Sequence, residues 1–269
     1  MKKYMIRCDI EGVSGVVSYE QAEPGRPEYA YGQRMFMNDL LALIDGLNEG
    51  GADEIVVYDE HYYGRNIDLD ELPENVTAIC GKPPYRADWA GGLDSTFAGV
   101  ILLGFHSKRG TGELLHHTYE PDIADLFLNG ISVGEIGMEA AIAGDWSVPL
   151  VMITADSAGV KEAESLVPGV VGVSVKESLW HSGGACYATM KTAKMITEAA
   201  KKIVEDPPAA KPWKIRDPGL KVVFNPGAYH DTFKKLYHCG DFFTITGATV
   251  TECWAKYWQM KLAVQEAMR

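Results

Sequence analysis

The chain has 269 residues, 46% of them hydrophobic, with 25 basic against 37 acidic side chains and a formal net charge of −12 at pH 7. That length suits one large α/β domain or two smaller ones, with room for a sizeable core. The acidic balance excludes nucleic acid as a partner, and the lack of any uninterrupted apolar stretch of about 18 residues excludes a membrane span.

The N-terminal Met1-Lys2-Lys3-Tyr4 has the charge of a signal sequence, but Arg7, Asp9 and Glu11 break the apolar segment behind it, so no signal peptide is expected. The five cysteines are widely spaced, and no CxxC pair exists. That usage fits a reducing cytoplasm. Residues 4–11 read as a strand that runs into Gly12. Side chains at i and i+2 of a strand share a face, so Asp9 and Glu11 are expected to leave it together. Two neighbouring carboxylates repel, and a bound cation relieves the repulsion.

A glycine-rich turn and a polar loop with Pro24 and Pro27 follow. Residues 28–50 have helical periodicity, with Met35, Leu40, Leu43, Ile44 and Leu47 as the inner face and Gly50-Gly51 as the stop. Residues 54–58, 76–80 and 99–105 are short apolar strands. The first of these ends in Asp59-Glu60-His61 and the last in His106. The segment from Thr111 to Thr118 carries adjacent histidines, His116 and His117, at most one of which can face a site made by His106. Residues 125–128 and 131–133 flank Asn129-Gly130, a two-residue hairpin turn. A helix is predicted over 135–143, a strand over 148–154, and helices over 158–166 and 188–204. A Pro/Lys linker spans 207–218, with strands at 220–224 and 242–246 and a last helix from about 251. The aromatic tail, Trp254, Tyr257 and Trp258, reads as core.

This alternation predicts a three-layer α/β/α sandwich with a mostly parallel or mixed sheet, plus a smaller C-terminal α/β portion. Residues 1–206 form the expected metal-binding catalytic domain. Residues 219–269 form the C-terminal portion, packed into the same domain or beside it.

Ligand sites in open α/β sheets form beyond the carboxyl ends of the strands. Strand endings rich in Asp, Glu and His therefore suggest one shared site. Asp9, Glu11, His61 and His106 come from such endings, and Glu135 comes from the hairpin-to-helix junction. Two imidazoles and three carboxylates suit Zn²⁺, Mn²⁺ or Co²⁺. They exceed the protein ligands of one catalytic zinc and suggest two metals about 3.5–4 Å apart. Asp59 reads equally as a helix cap or as a partner of a ligand histidine. A histidine beside the metals can act as general acid or base or stabilise an oxyanion. No GxGxxG, GxxxxGK[ST] or GxSxG motif occurs, so no nucleotide or organic cofactor is expected.

Asp9-Ile-Glu11-Gly-Val-Ser-Gly, Asp59-x-His61, Gly104-Phe-His106, His117-Thr118 and Asn129-Gly-x-x-Val-Gly-Glu135-x-Gly together resemble the zinc D-aminopeptidases of the bacterial dipeptide-operon type. Gly92-Leu93-Asp94-x-x-Phe97 and Lys161-Glu162-Ala163 fit as well. The match runs from the N-terminus to about residue 165, and the rest is similar in outline only. The resemblance implies two zinc ions per subunit on Asp9, Glu11, His61, His106 and Glu135, and a catalytic role for His117 rather than His116. It also implies release of N-terminal D-amino acids from short peptides such as D-Ala-D-Ala, in a decamer of two stacked five-membered rings. Glu60, Tyr62-Tyr63-Gly64 and His116 depart from the family pattern and are candidate pocket residues. The expected enzyme is a metal-dependent aminopeptidase in which a metal-bridging hydroxide attacks the peptide carbonyl. The alternatives are an amidohydrolase for a non-peptide amide and a non-catalytic peptide-binding accessory protein of dipeptide transport.

Overall fold

Gly99–Phe105 and Leu150–Asp156 are buried at every position, the mark of parallel strands covered on both faces. They are β4 and β7 in a computed structural model that describes residues 1–269. In chain order the elements are β1 (Lys3–Cys8), α1 (Tyr19–Ala22), α2 (Tyr29–Glu49), β2 (Glu54–Asp59), β3 (Val76–Ile79), β4, β5 (Ile123–Leu128), β6 (Ile131–Val133), α3 (Glu135–Asp145), β7, α4 (Ser157–Leu166), β8 (Val171–Trp180), β9 (Gly183–Cys186), α5 (Thr189–Glu205), β10 (Gly219–Phe224), α6 (Ala228–Tyr237), β11 (Phe242–Thr246) and α7 (Val250–Ala267).

The main sheet has seven strands in the order β3-β2-β1-β4-β7-β8-β9. All its pairs are parallel except the closing β8–β9 hairpin. A second sheet of four antiparallel strands runs β11-β10-β5-β6. Its outer half comes from the C-terminal segment, because β10 pairs with β5. The expected α/β sandwich with a mixed sheet is therefore present, and no helix is long and apolar enough to cross a membrane.

Alternation along β1 sends Tyr4, Ile6 and Cys8 into one apolar cluster of 29 residues, which α2 and α5 cover. Met5 points into the opposite cluster of 37 residues, built with α3, α4, α7 and the small sheet. Each fully buried Leu or Ile in these layers stabilises the fold by roughly 1.5–3 kcal/mol. Phe36, Leu40, Leu43, Ile44 and Leu47 of α2 are all completely buried, close to the inner face read from the periodicity.

Some boundaries differ from the sequence reading. β1 ends at Cys8 instead of running to residue 11. Asp9 still donates its amide to Leu103 O at 2.8 Å, but its side chain accepts the next amide, Ile10 N, at 2.8 Å. That local bond turns the chain out of the ladder. Asp9 and Glu11 therefore meet through a turn and not through strand alternation. The elements α1, β8, β9 and α6 were not anticipated, although Val171, Val173 and Val175 in β8 alternate as a strand should.

The crossing of α2 over α5 requires a residue without a side chain at Gly46. A Cβ there would lie 2.3 Å from Thr197 O and 2.7 Å from the Ala200 Cβ. Gly46→Ala gains about 1 kcal/mol of helix propensity but forces two close-packed helices apart, an overpacking cost of about 1–3 kcal/mol. A lower urea midpoint with unchanged slope is the expected result, and an unchanged or higher midpoint would contradict the tight crossing.

Candidate metal centre

β2, β1 and β4 are neighbours in the sheet and run parallel, so their carboxyl ends open side by side into one crevice. The turn after β1 supplies Asp9 and Glu11, the end of β2 leads into His61, and β4 runs directly into His106. Glu135 is the first residue of α3. The β1 turn crosses close over β4: Gly12 N donates to Gly104 O at 2.7 Å, and a Cβ on Gly12 would lie 1.7 Å from Phe105 O. Only glycine permits that approach.

The ligating atoms fall into two groups, Asp9–Glu11–His61 and His106–His117–Glu135, each with its atoms within 4.8 Å of one another. His61 Nε2 is 3.5 Å from Glu11 Oε1, and His106 Nε2 is 3.2 Å from Asp9 Oδ2 and 3.4 Å from Glu135 Oε1. The His106 and His117 rings stack at 4.0 Å and 9°. All five residues expected as ligands thus converge, and His117 joins them with its Nε2 3.7 Å from Glu135 Oε1. His116 turns away and accepts the Gly110 amide at 3.1 Å.

The neighbouring groups fix most of these side chains. His106 Nδ1 lies 3.0 Å from Ser107 O and His117 Nδ1 lies 2.9 Å from Leu115 O. A carbonyl only accepts, so each Nδ1 carries a proton, and in the neutral ring each Nε2 presents a lone pair to the crevice. Leu115 holds a left-handed backbone with φ of 50°. The β8–β9 hairpin grips that segment, with Leu115 N donating to His181 O at 3.1 Å and Leu114 N to Ser178 Oγ at 2.8 Å. Asp59 caps a turn instead of a helix: it accepts Asn66 N at 2.6 Å and His61 N at 3.3 Å. Glu60 points inward to Arg7 and to the Tyr85 hydroxyl, both at 3.3 Å, so it is not a pocket residue. Tyr62 and Tyr63 are exposed beside His61.

Sequence reading missed the polar groups that support this rim. Lys176 of β8 is completely buried. Its ammonium donates to Glu11 O at 2.7 Å, to Val13 O at 2.8 Å and also to Val16 O, which clasps the turn that carries Glu11. From the other side, Asp39 accepts Ser14 N and Ser14 Oγ, each at 2.8 Å. Below the crevice, Arg7 pairs with Glu139. Glu139 follows Glu135 by one helical turn and Arg7 precedes Asp9 by two residues, a pattern that is visible in the sequence.

The electrostatics show surplus negative charge at the rim. Burial, reinforced by Glu11, raises the Asp9 carboxyl. Burial also pushes Glu11 upward, but His61, joined by His117 and Asp9, outweighs it and holds Glu11 well below the usual carboxylate range. Burial opposes the charged form of His106, yet Glu135 and Asp9 raise it well above an ordinary histidine. Asp9 Oδ2, Glu11 Oε2, His61 Nε2 and His106 Nε2 are buried with no hydrogen-bond partner. Their mutual distances are short, but the angles are not those of hydrogen bonds. Leaving one such atom unsatisfied costs about 1–3 kcal/mol, more when it is charged. Four converging donors of N and carboxylate-O type fit a divalent transition-metal ion.

A family model described as D-aminopeptidase matches residues 1–242. The chain belongs to the D-aminopeptidase family. A D-aminopeptidase of Bacillus subtilis (strain 168) is 30% identical over 227 residues, covering 83% of this chain and 81% of that protein. The solved structure of the Zn-dependent D-aminopeptidase DppA from Bacillus subtilis, a self-compartmentalizing protease, superposes with a TM-score of 0.89 at 25% identity and covers 99% of this chain and 98% of its own. The D-aminopeptidase match ends before α7, yet the solved relative spans it.

Two outcomes follow. A divalent transition metal in hundredfold excess over its dissociation constant should stabilise the fold by about 2.7 kcal/mol. Asp9→Ala and His106→Ala should lose that gain in thermal melts; full retention in both would remove these residues from the centre. Separately, burial pushes Asp39 up to about 6 from 3.8. The folded state therefore binds the proton more tightly than the unfolded state across that interval, so stability falls as pH rises through it. Asp39→Asn should flatten the urea-midpoint profile between these pH values by on the order of 3 kcal/mol, and an unaltered profile would count against the assignment.

Proposed function

We propose that this chain is a zinc-dependent aminopeptidase that releases N-terminal D-amino acids from short peptides. The observation that carries the reading is the convergence of four unpartnered buried ligand atoms beside a histidine whose orientation is already fixed. Asp9, Glu11 and His61 would hold one zinc ion and His106 and Glu135 a second, with Asp9 or Glu135 shared. Zinc bound there supplies Lewis acidity toward the scissile carbonyl and lowers the pKa of water.

The chain's own residues do the rest. The Leu115 carbonyl holds His117 Nδ1–H at 2.9 Å, leaving Nε2 free to bind a proton. In that protonated form Nε2–H donates to the oxygen that gains charge as the carbonyl is attacked, or passes its proton to the leaving amine nitrogen. Tyr19 limits rotation of the imidazole: its ring meets His117 edge-on at 6.0 Å, and its hydroxyl donates to the same Leu115 carbonyl at 3.2 Å. The imidazole retains 25% side-chain exposure, which leaves it reachable by a substrate. Residues 1–206 are the catalytic unit in this reading, and 219–269 support it.

The relative's self-compartmentalizing character supports a homo-oligomer here, of decameric form. Leu179 and Trp180 on the β8–β9 hairpin are 69% and 64% exposed, which is apolar surface that a partner copy would cover. The five free cysteines, two of them buried, support a cytoplasmic protein.

The test is hydrolysis of matched D- and L-dipeptides, with N-acyl anilides as controls, in added Zn²⁺, Mn²⁺ or Co²⁺. Preferential cleavage of the D-peptides is expected. Cleavage of the N-acyl compounds alone would replace the peptidase reading with an amidohydrolase. His117→Ala should keep its metal and lose about 10²–10⁴-fold in kcat. Wild-type turnover in that variant would end its catalytic role.

A further inference from the structure

Tyr119 joins the candidate metal centre to a part of the chain far from it in sequence. Its backbone amide donates to Glu135 Oε1 at 2.6 Å. That oxygen is the one 3.4 Å from His106 Nε2 and 3.7 Å from His117 Nε2. The amide thus holds in place an oxygen that lies within reach of both imidazoles. The same residue's hydroxyl donates to Glu139 Oε1 at 3.1 Å. Glu135 and Glu139 are four apart on α3 and therefore lie on one face, so Tyr119 grips that face at both ends. The other oxygen of Glu139 takes Arg7 Nη1, and Arg7 Nη2 is anchored on Ala90 O at 2.6 Å.

Tyr119 also holds a left-handed backbone with φ of 53°, a conformation that a bulky residue keeps only where its surroundings enforce it. A local hydrogen bond from Glu120 N to Thr118 O at 2.6 Å closes the turn, and contacts from α7 brace it. Trp254, completely buried, packs against the Tyr119 ring at 4.6 Å and 42°. One residue further on, Glu120 pairs with Lys261 of the same helix. The strain, the two hydrogen bonds and the helix contacts all bear on the oxygen of Glu135.

We propose that Tyr119 is a positioning residue that sets Glu135 for metal binding, and that α7 acts on the centre through it. This rests on the reading of Glu135 as a ligand. Groups that hold a ligating carboxylate typically contribute 10–100-fold to metal affinity. The C-terminal helix then has a task at the site although none of its own side chains reaches it.

The test uses the full-length chain, stripped with a chelator and titrated with Co²⁺, following the visible ligand-field bands, and with Zn²⁺ by competition. Tyr119→Phe keeps the ring and removes only the hydroxyl. It should weaken cobalt binding by about 10-fold and alter the band shape, while the metal-free protein still melts cooperatively, a few degrees below wild type at most. Glu139→Gln should move affinity and spectrum in the same direction, and Trp254→Phe less so. Wild-type affinity and spectrum in Tyr119→Phe and Glu139→Gln would overturn the proposal. Should Asp9→Ala and His106→Ala also bind cobalt as wild type does, the reading of the centre itself falls, a result distinct from failure at Tyr119 alone.

Discussion

Three carboxylates are forced together at the mouth of a parallel sheet, and the rest of the structure answers that crowding. Asp9, Glu11 and Glu135 sit at one opening with buried oxygens of Asp9 and Glu11 unpaired. Buried carboxylates of like charge raise one another unless a cation or a donor intervenes. Burial works against the charged forms of His61 and His106, but the carboxylates beside them outweigh it and raise both. A divalent ion bound there would satisfy the nitrogen and oxygen donors together.

A second layer of charge lies just beneath the first and is arranged by the same elements. Arg7 is two residues before Asp9, Glu60 is one before His61, and Glu139 is one turn after Glu135. The deeper layer holds a single guanidinium against two carboxylates. Burial, with Glu139 adding to it, pushes Glu60 up to about 8. Buried ion pairs seldom add net stability, but removal of one member is strongly destabilising. Their contribution here is orientation: the lower layer ties β1, the β2 exit and α3 together, and those elements carry the candidate ligands above.

Much of the centre was legible from residue types at element ends. Asp9, Glu11, His61, His106 and Glu135 all stand where an apolar run stops or a helix starts, and parallel topology brings such ends together. The reason given for Asp9 and Glu11 was wrong in detail. Their proximity comes from a side-chain-capped turn after Cys8, a hydrogen-bond preference that periodicity does not reveal. Lys176 was invisible, because a lysine inside an alternating valine strand reads as a solvent-facing residue, and only the fold brings the carbonyls of Glu11, Val13 and Val16 to it. The hairpin β8–β9 was missed for a related cause: its far end exposes Leu179 and Trp180, which blurs the division into inner and outer faces. Tyr119 carried no local signal, since its ring packs on Trp254, more than a hundred residues away, and its polar partners Glu135 and Glu139 are met only in the fold.

The close crossing of Gly12 over Phe105 bears on when the centre can come into being. Asp9 and Glu11 are oriented by a turn that rests on the backbone of β4, a strand some ninety residues later in the chain. Loop closure over that distance is entropically costly, and parallel pairing waits until both strands have been made and docked. A nascent or partly folded chain can therefore present aspartate and histidine side chains, but no arranged cradle. Metal capture at the proposed centre would in this sense be a late event, reserved for molecules whose central sheet is already closed. Small zinc modules work in the opposite order, with the ion organising the chain. In the proposed function the order is reversed: the finished sheet would organise the ion, and a chain in which β4 has not docked has no arranged site to offer it.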